Sequence, residues 1–334
     1  MSSEKILAQA LQTIESNGSN SGGFSLTKLA GDASLRRYYR IRNSAASYIV
    51  MVTAPFDPAK FEFLQVQKHL LARNVPVPLI YAMVPEQGGL LLEDLGDKTM
   101  LHVLGDSPGN EKIYFQRALD LLVDFHSRTN DANPQVVGYS LAFDVEKLLW
   151  EVDFTLEHLF GSYLKKQPPA EQRDEIRKNF ELICQILAAE PRVFTHRDYH
   201  SRNIMLTAQD RLVCIDFQDA RMGTHVYDLA SILRDSYYQL TEEQIYTGMD
   251  YYFSKMKKED IRLNDQQHFK KIFDLMSVQR NFKAIGSFAS FYGKRGDPSY
   301  LRYIGTSFEN IRRNLSKYPE FHRLRKLLVQ NYYY

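Results

Sequence analysis

Two kinds of hydrophobic pattern divide this chain at about residue 95. Before that point apolar residues mostly alternate with polar ones, and β-branched and aromatic residues are common, which predicts strands over 24–42 and 47–54. Helical spacing occurs only over 4–15 and 57–74. Pro76 and Pro78 predict extended chain before a short buried strand in 88–93.

Beyond residue 96 the apolar spacing is mainly helical, and one strand-like insertion interrupts it. The segments "NIML" and "LVCID" predict two short strands around the turn "TAQD". The pattern therefore predicts an α+β protein with a small β-rich lobe at 1–95 and a mainly helical lobe at 96–334. The predicted helices of the second lobe are 111–128, 144–163, 170–189, 225–240, 242–258, 266–292 and 306–329.

Composition narrows the class of protein. The net charge of +2 provides no global field for binding nucleic acid or a membrane surface. No apolar run approaches the roughly 18 residues of a membrane span, and the N-terminus does not resemble a signal peptide. Cys184 and Cys214 lie in apolar segments and are expected to be buried free thiols. We therefore expect a cytoplasmic protein without nucleic-acid or membrane partners.

The segment "FTHRDYHSRNIML" concentrates polar groups between apolar flanks. Asp198 is followed five residues later by Asn203, and Asp216 comes thirteen residues further on, after the second predicted strand. Oxygen ligands of this kind suit magnesium, so Asn203 and Asp216 are candidate metal ligands. Asp198 is then the candidate base that orients a hydroxyl and accepts its proton, as in phosphoryl transfer. Each residue alone also has a structural interpretation, as a turn cap, a left-handed position or a strand end.

The surrounding sequence argues against a protein kinase. It has neither a complete Gly-rich loop nor a D-F-G triplet, because Phe217 and Gln218 follow Asp216. The segment from Asp219 is expected to enter the helix at 225–240 directly, which leaves no room for an activation segment. A small-molecule kinase fits these features better.

Several motifs resemble the aminoglycoside phosphotransferase/choline kinase-like superfamily. They are the H-x-D-x-x-x-x-N loop from His196 to Asn203, the "IDFQDA" segment and the "YDLA" helix start. A closer resemblance, to the bacterial anomeric N-acetylmuramate/N-acetylglucosamine kinases of cell-wall recycling, is carried by "GDASLRRYYRI", "LLLEDLGD", "YDLASILRDSY" and "QRNFKAIGSFA".

This resemblance implies a bilobal protein-kinase-like fold, ATP, Mg²⁺ and a monomeric state. It implies that the first lobe binds the nucleotide, with adenine held by backbone groups near Glu93 and Leu95. It also implies that the second lobe carries the catalytic groups and binds a sugar beside Asp198. The expected reaction is phosphorylation of the anomeric hydroxyl of the sugar.

One position departs from the wider superfamily. Met51 stands where a phosphate-binding lysine is usual, so other groups have to neutralise the phosphates. Ser34, Arg36 and Arg37 on the first hairpin are candidates, because hydroxyl and guanidinium groups suit phosphate. Solvent-exposed strand residues are the alternative interpretation of the two arginines.

The acceptor side is less specific. Arg202, Gln218 and Asp219 are near the catalytic groups in sequence, and Arg234 could meet an acceptor carboxylate. Surface positions or salt bridges are the alternative for all four. Trp150 could stack on a sugar, but core packing is the favoured interpretation.

Two other functions stay open at this stage. The same scaffold could phosphorylate an aminoglycoside, choline or another small alcohol. A nucleotide-binding pseudokinase is the third hypothesis, motivated by Met51 and opposed by the intact Asp198, Asn203 and Asp216.

Overall fold

A computed structural model describes residues 2–16, 20–21, 23–29, 36–106 and 109–333. The chain divides into two compact units. Unit 1 comprises Met1–Lys98 and Met205–Gln218, and unit 2 comprises Thr99–Ile204 and Asp219–Tyr334. The proposed functional division at residues 95 and 96 stays a prediction.

The strands are short and occur mainly before residue 95. They are β1 (Asn20–Ser21), β2 (Phe24–Lys28), β3 (Arg37–Arg42), β4 (Ser47–Val52), β5 (Ile80–Val84), β6 (Gly89–Glu93), β7 (Arg192–Thr195), β8 (Ile204–Leu206), β9 (Leu212–Cys214) and β10 (Arg221–Thr224).

The α-helices dominate after residue 99. They are α1 (Ser3–Glu15), α2 (Glu62–Ala72), α3 (Met100–Asp106), α4 (Glu111–Arg128), α5 (Val145–Leu156), α6 (Ala170–Ala188), α7 (Val226–Leu233), α8 (Glu242–Met256), α9 (Gln266–Arg295), α10 (Ile304–Leu315) and α11 (His322–Tyr333). A π-helical turn, Glu157–Tyr163, continues α5, and short 3₁₀ turns lie at Pro85–Gln87, Val137–Tyr139, Leu301–Tyr303 and Pro319–Phe321.

Unit 1 is built on an antiparallel six-stranded sheet in the order β1-β2-β3-β4-β6-β5. Apolar side chains of α1, including Leu7 and Leu11, pack with Ile41, Val50 and Leu91 of the sheet. The predicted strands are present, but consecutive residues are buried at 50–52 of β4 and 89–92 of β6, so the central strands are covered on both faces rather than on one.

The hairpin of β8 and β9 belongs to unit 1 although it lies far along the sequence. Its backbone is attached by two hydrogen bonds, from Leu206 N to Lys98 O at 2.8 Å and from Cys214 N to Pro76 O at 2.9 Å. Leu95 packs against apolar side chains of the hairpin. These contacts carry the segment that ends in Asp216 into unit 1.

Unit 2 is organised around α9, a helix of 30 residues that packs against α5, α6, α7 and α10. The helices α5 and α9 approach closely at Gly286, where an added Cβ would lie 2.3 Å from Thr155 Oγ1. The Thr155 hydroxyl also donates to Phe282 O at 3.0 Å. Among the described residues, no helix is both long and apolar enough to cross a membrane.

The structure corrects five local predictions. The predicted helix at 225–240 ends at Leu233, and the single helix predicted over 306–329 is two helices separated by a turn that begins at Pro319. Strand β10 precedes α7, so the segment after Asp216 does not enter the helix directly. Strand β10 pairs with β7, a strand that the sequence pattern did not predict. Helix α3 was also missed.

Candidate active site

The candidate catalytic loop, residues 196–203, connects β7 to β8. Two backbone hydrogen bonds within it, from His200 N to Asp198 O at 3.1 Å and from Asn203 N to His200 O at 2.9 Å, form consecutive tight turns. Arg197 has a φ of +80°, an unfavourable conformation for a side-chain-bearing residue. Such a conformation needs support from outside the loop.

Asp228, at the start of α7, provides that support. Its carboxylate has no exposed surface and accepts the backbone N–H groups of His196 at 2.6 Å and Arg197 at 2.9 Å. His126 of α4 contacts the same carboxylate through Nε2 at 3.1 Å and meets the Tyr252 hydroxyl through Nδ1. The loop is thus held through the backbone amides of His196 and Arg197.

A second buried carboxylate supports the other half of the loop. Asp235 accepts both the backbone N–H and the hydroxyl of Ser201, at 2.9 and 2.6 Å, and the N–H of Tyr237 at 2.9 Å. Burial raises the pKa of Asp235 to about 6, although these donors favour the ionised form.

Asp198 lies among cations of unit 2. Lys283 Nζ is 3.2 Å from Asp198 Oδ1, Arg280 Nη1 is 3.7 Å from the same oxygen, and Arg197 Nε is 3.9 Å from Oδ2. Burial raises the pKa of Asp198, but the neighbouring positive charges outweigh it and hold the pKa well below its usual range. The carboxylate is therefore ionised at neutral pH and is a weak base.

A cavity of about 180 Å³ opens beside this carboxylate within unit 2. Hydroxyl, amide and cationic groups line one part of it, and aromatic rings line another. Its polar lining includes Asp198, Ser231, Arg280, Asn281, Lys283 and Ser287, and its aromatic lining includes Tyr237, Phe288 and Phe291. This mixture suits a small polyhydroxylated molecule.

Asn203 is oriented by the loop itself. Its amide nitrogen donates to Asp198 O at 3.0 Å, so the amide oxygen is the atom that it presents as an acceptor or metal ligand. The predicted ligand Asp216 belongs to unit 1 and has a φ of +63°. Gln218 Nε2 donates to Asp216 Oδ1 at 2.8 Å, so Gln218 contacts the candidate metal ligand.

The structure distinguishes the candidate phosphate ligands of unit 1. Arg36 Nη1 lies 4.0 Å from Asp216 Oδ1, and its guanidinium is 5.9 Å from the ring centre of Phe63. Arg37 begins β3 and is exposed. Ser34 lies outside the described residues.

The segment 93–97, which is predicted to hold the adenine, is attached to the sheet through Arg40 of β3. Arg40 contacts Asp94 at 2.8 Å, Asp97 at 2.5 Å and Gly96 O at 3.0 Å. The Glu93 side chain contacts Arg211, while Leu95 is buried. The side chains at 93 and 95 therefore have structural contacts, and nucleotide binding by the backbone there stays a prediction.

The remaining acceptor candidates have different surroundings. Arg202 lies over the rings of Tyr237 and Tyr300, at 5.0 and 5.4 Å from their centres. Asp219 pairs with Arg197 at 3.2 Å. The Arg234 side chain has no exposed surface and pairs with Glu242, so its guanidinium is held by a neighbouring helix although the residue borders the cavity.

Four important residues lie in segments that carry the resemblance but were not assigned a role there: Asp228, Asp235, Arg280 and Lys283. The available signal was the polar run "QRNFK" inside an otherwise apolar helical pattern. Gln279, Arg280 and Asn281 are buried there, which is unusual unless such groups are paired. The sequence pattern could mark these residues as unusual, but not identify Asp198 as their partner.

The chain is similar to known phosphotransferases and kinases. The family model described as "Phosphotransferase enzyme family" matches residues 25–261. This chain belongs to that family. The N-acetylmuramate/N-acetylglucosamine kinase of Pseudomonas aeruginosa is 34% identical to it, over 91% of this chain and 88% of the relative. The enzyme of the same name from Neisseria meningitidis is 31% identical, over 92% of this chain and 90% of the relative.

Solved structures of the family share the fold. A choline kinase from Cryptosporidium parvum aligns with a TM-score of 0.62 at 13% identity, over 97% of this chain and 99% of that chain. The ADP-bound aminoglycoside phosphotransferase APH(2'')-Ib aligns with a TM-score of 0.59 at 15% identity, over 96% and 99% of the two chains. The α+β protein-kinase-like fold and the small-molecule kinase class predicted from the sequence are thereby confirmed.

Proposed function

We propose that this kinase transfers the γ-phosphoryl group of ATP to the anomeric hydroxyl of N-acetylmuramate or N-acetylglucosamine. The observation that carries the proposal is the cavity beside Asp198, in which Arg280 and Lys283 accompany hydroxyl and amide groups. Relatives named for these two sugars, at 30–34% identity over most of the chain, support the same acceptor class.

The charge of the cavity separates this acceptor from the alternatives. Choline and aminoglycosides are cations, and a cation bound beside Arg280 and Lys283 would be repelled by both. N-acetylglucosamine is neutral and N-acetylmuramate carries a carboxylate. The cations that line the cavity (Arg234, Arg280 and Lys283) outnumber its carboxylates (Asp198 and Asp235). This balance favours the N-acetyl sugars over cationic acceptors.

The weak basicity of Asp198 also suits an anomeric hydroxyl. The adjacent ring oxygen makes this hydroxyl more acidic than that of an ordinary alcohol, so less proton affinity is needed to remove its proton. In a loose phosphoryl-transfer transition state little proton transfer is required before the phosphorus–oxygen bond forms. We propose that Asp198 orients the hydroxyl first and accepts its proton late in the reaction.

Magnesium fits the donors that the motif provides. Asn203 presents an amide oxygen and Asp216 a half-exposed carboxylate, both of which are hard oxygen ligands. An ion bound by these two groups would take its remaining ligands from phosphate oxygens and water. When bound, the ion would neutralise charge on the phosphates.

Nucleotide binding is assigned mainly to unit 1. Arg36 is the best-supported phosphate ligand, because it lies beside Asp216. Ser34, Arg37 and the backbone near Glu93 and Leu95 stay predictions, as do Arg202, Gln218 and Asp219 on the acceptor side. We expect a monomer acting in the cytoplasm; light scattering during size-exclusion chromatography tests the first of these expectations.

An ADP-release assay tests the proposal. With ATP and Mg²⁺, we expect turnover of N-acetylmuramate and N-acetylglucosamine and none of their methyl glycosides, in which C1 is blocked. Asp198→Asn should lower kcat by about 10²–10⁴-fold, as expected for loss of a general base. Asp131→Asn, at an exposed position, is the matched control. Turnover of choline or kanamycin but of neither sugar would refute the proposed acceptor.

A further inference from the structure

Near Asp198, three cations and the single tryptophan form a second feature, which we call the basic patch: Lys147, Trp150, Arg197 and Arg221. Strand β10 and residues 141–143 form one side of it, through hydrogen bonds from Phe143 N to Met222 O at 2.8 Å and from Met222 N to Leu141 O at 2.9 Å. This pairing brings the first turn of α5 next to β10.

Aromatic rings support the two outer cations of the patch. Lys147 Nζ lies 3.8 Å from the ring centre of Trp150, and the Arg221 guanidinium lies 5.2 Å from that of Phe143. Trp150 is 55% exposed, so the favoured expectation of core packing was wrong. An exposed tryptophan next to an ammonium group is a common arrangement at binding surfaces.

Carboxylates pair with Arg197 but, among the described residues, not with the two outer cations of the patch. Arg197 is shared between Asp219 at 3.2 Å and Asp198 at 3.9 Å. Within the described parts of the chain, neither Lys147 nor Arg221 has an ion pair; Arg221 Nε donates to the Asp219 carbonyl at 3.5 Å. Burial lowers the pKa of Lys147, and Arg197, Arg221 and Lys283 lower it further although Glu151 opposes them.

Like charges held together in this way are costly unless an anion binds between them. Arg197 contacts Asp198, so the patch begins next to the candidate base. The patch does not line the cavity, but Arg197 of the patch and Lys283 of the cavity contact the same Asp198 carboxylate, so the two are neighbours. The substituent that distinguishes N-acetylmuramate from N-acetylglucosamine is a carboxylate.

We propose that Lys147 and Arg221 bind the carboxylate of a sugar-acid acceptor and so determine the preference for carboxylated over neutral N-acetyl sugars. This inference rests on the proposed function. Arg197 links the carboxylate site to the loop that carries Asp198. Trp150 borders the site, so its fluorescence reports on binding there.

Two substitutions test the assignment. In Lys147→Met and Arg221→Met, kcat/KM for N-acetylmuramate should fall about ten- to hundredfold, in the range expected for a charge-assisted contact. For N-acetylglucosamine it should change less than about threefold, because that sugar lacks the carboxylate. Lys178→Met, at an exposed position of α6, is the control for loss of a lysine charge.

Two kinetic results would overturn the inference. Equal losses for both sugars, or a raised KM for ATP, would assign the cations to the phosphates of the nucleotide. Unchanged kinetics with both sugars would show that no acceptor group contacts them.

A fluorescence titration tests the carboxylate site by binding alone, so its result does not depend on the proposed reaction. Because Trp150 is the only tryptophan, its emission reports on the patch directly. N-acetylmuramate should change this emission in the wild-type protein and not in Lys147→Met, whereas N-acetylglucosamine should have little effect. If neither sugar is phosphorylated, the proposed function fails, and this titration still decides about the carboxylate site. The absence of any response to N-acetylmuramate would then refute the site as well.

Discussion

The ammonium group of Lys283 lies 3.2 Å from Asp198 Oδ1, although 84 residues separate them along the chain. Helix α9 brings the lysine to the catalytic loop. The contact holds the candidate base ionised and gives the neighbouring cavity part of its positive charge. The first prediction concerns this pair.

Lys283→Met should move the acid limb of the kcat/KM profile to higher pH. An opposite charge at this distance lowers a carboxyl pKa by about 1–3 pH units, so its removal should raise the acid limb by about one pH unit. Lys294→Met, at an exposed position of the same helix, is the control. An unchanged acid limb in Lys283→Met would contradict the proposed electrostatic role.

Asp228→Asn should loosen the catalytic loop. The carboxylate accepts two backbone N–H groups and contacts His126, and an amide oxygen cannot replace both of its oxygens. We expect the free energy of unfolding to fall by about 2–4 kcal/mol and kcat to fall as well. Denaturant titration and ADP release measure these effects, with the exposed Asp174→Asn as the reference. Wild-type stability in Asp228→Asn would show that these contacts do not stabilise the protein.

Gly286→Ala should destabilise the contact between α5 and α9. The new methyl group would lie 2.3 Å from Thr155 Oγ1 and 2.7 Å from its Cα, so a helix has to shift. Overpacking of this kind costs about 1–3 kcal/mol. Gly305→Ala in α10, where the added Cβ meets nothing within 4 Å, should instead be neutral or stabilising by up to about 1 kcal/mol. Thermal unfolding of the two variants compares these outcomes, and equal melting temperatures would refute the packing argument.

Lowering the pH should destabilise unit 1, because His69 is buried there as a neutral ring. Arg73 Nη1 donates to His69 Nδ1 at 3.1 Å, which requires a neutral ring, and burial lowers the pKa of His69 to about 4, with Arg73 adding to the effect. Between pH 4 and the unfolded pKa of about 6.5, the unfolded state binds more protons. The free energy of unfolding should therefore fall as the pH decreases through that window.

Replacing this histidine should make the stability less dependent on pH. His69→Leu is expected to lose less stability between pH 7 and pH 5 than the wild type, as measured by urea titration at each pH. His102→Leu, at an exposed position, controls for loss of an imidazole. A pH dependence in His69→Leu as steep as that of the wild type would contradict the assignment.

The sequence by itself determined the features that depend on local spacing. Runs of apolar, β-branched and aromatic residues predicted the strands of unit 1, because such side chains pack well on a sheet. The five-residue interval between Asp198 and Asn203 identified the loop, because both residues lie in one short turn whose backbone bonds bring them together. The same motifs identified the family and hence the fold.

Only the tertiary structure decided what surrounds these residues. The strands β7 and β10 are four residues each and are held by pairing with one another, so neither has a strong pattern of its own. Arg280 and Lys283 acquire their role because α9 packs beside the catalytic loop, and Lys147 and Arg221 because residues 141–143 pair with β10. Sequence patterns record which positions prefer burial, whereas a charged side chain takes its partner, and with it its pKa and its chemistry, from the packing of distant segments.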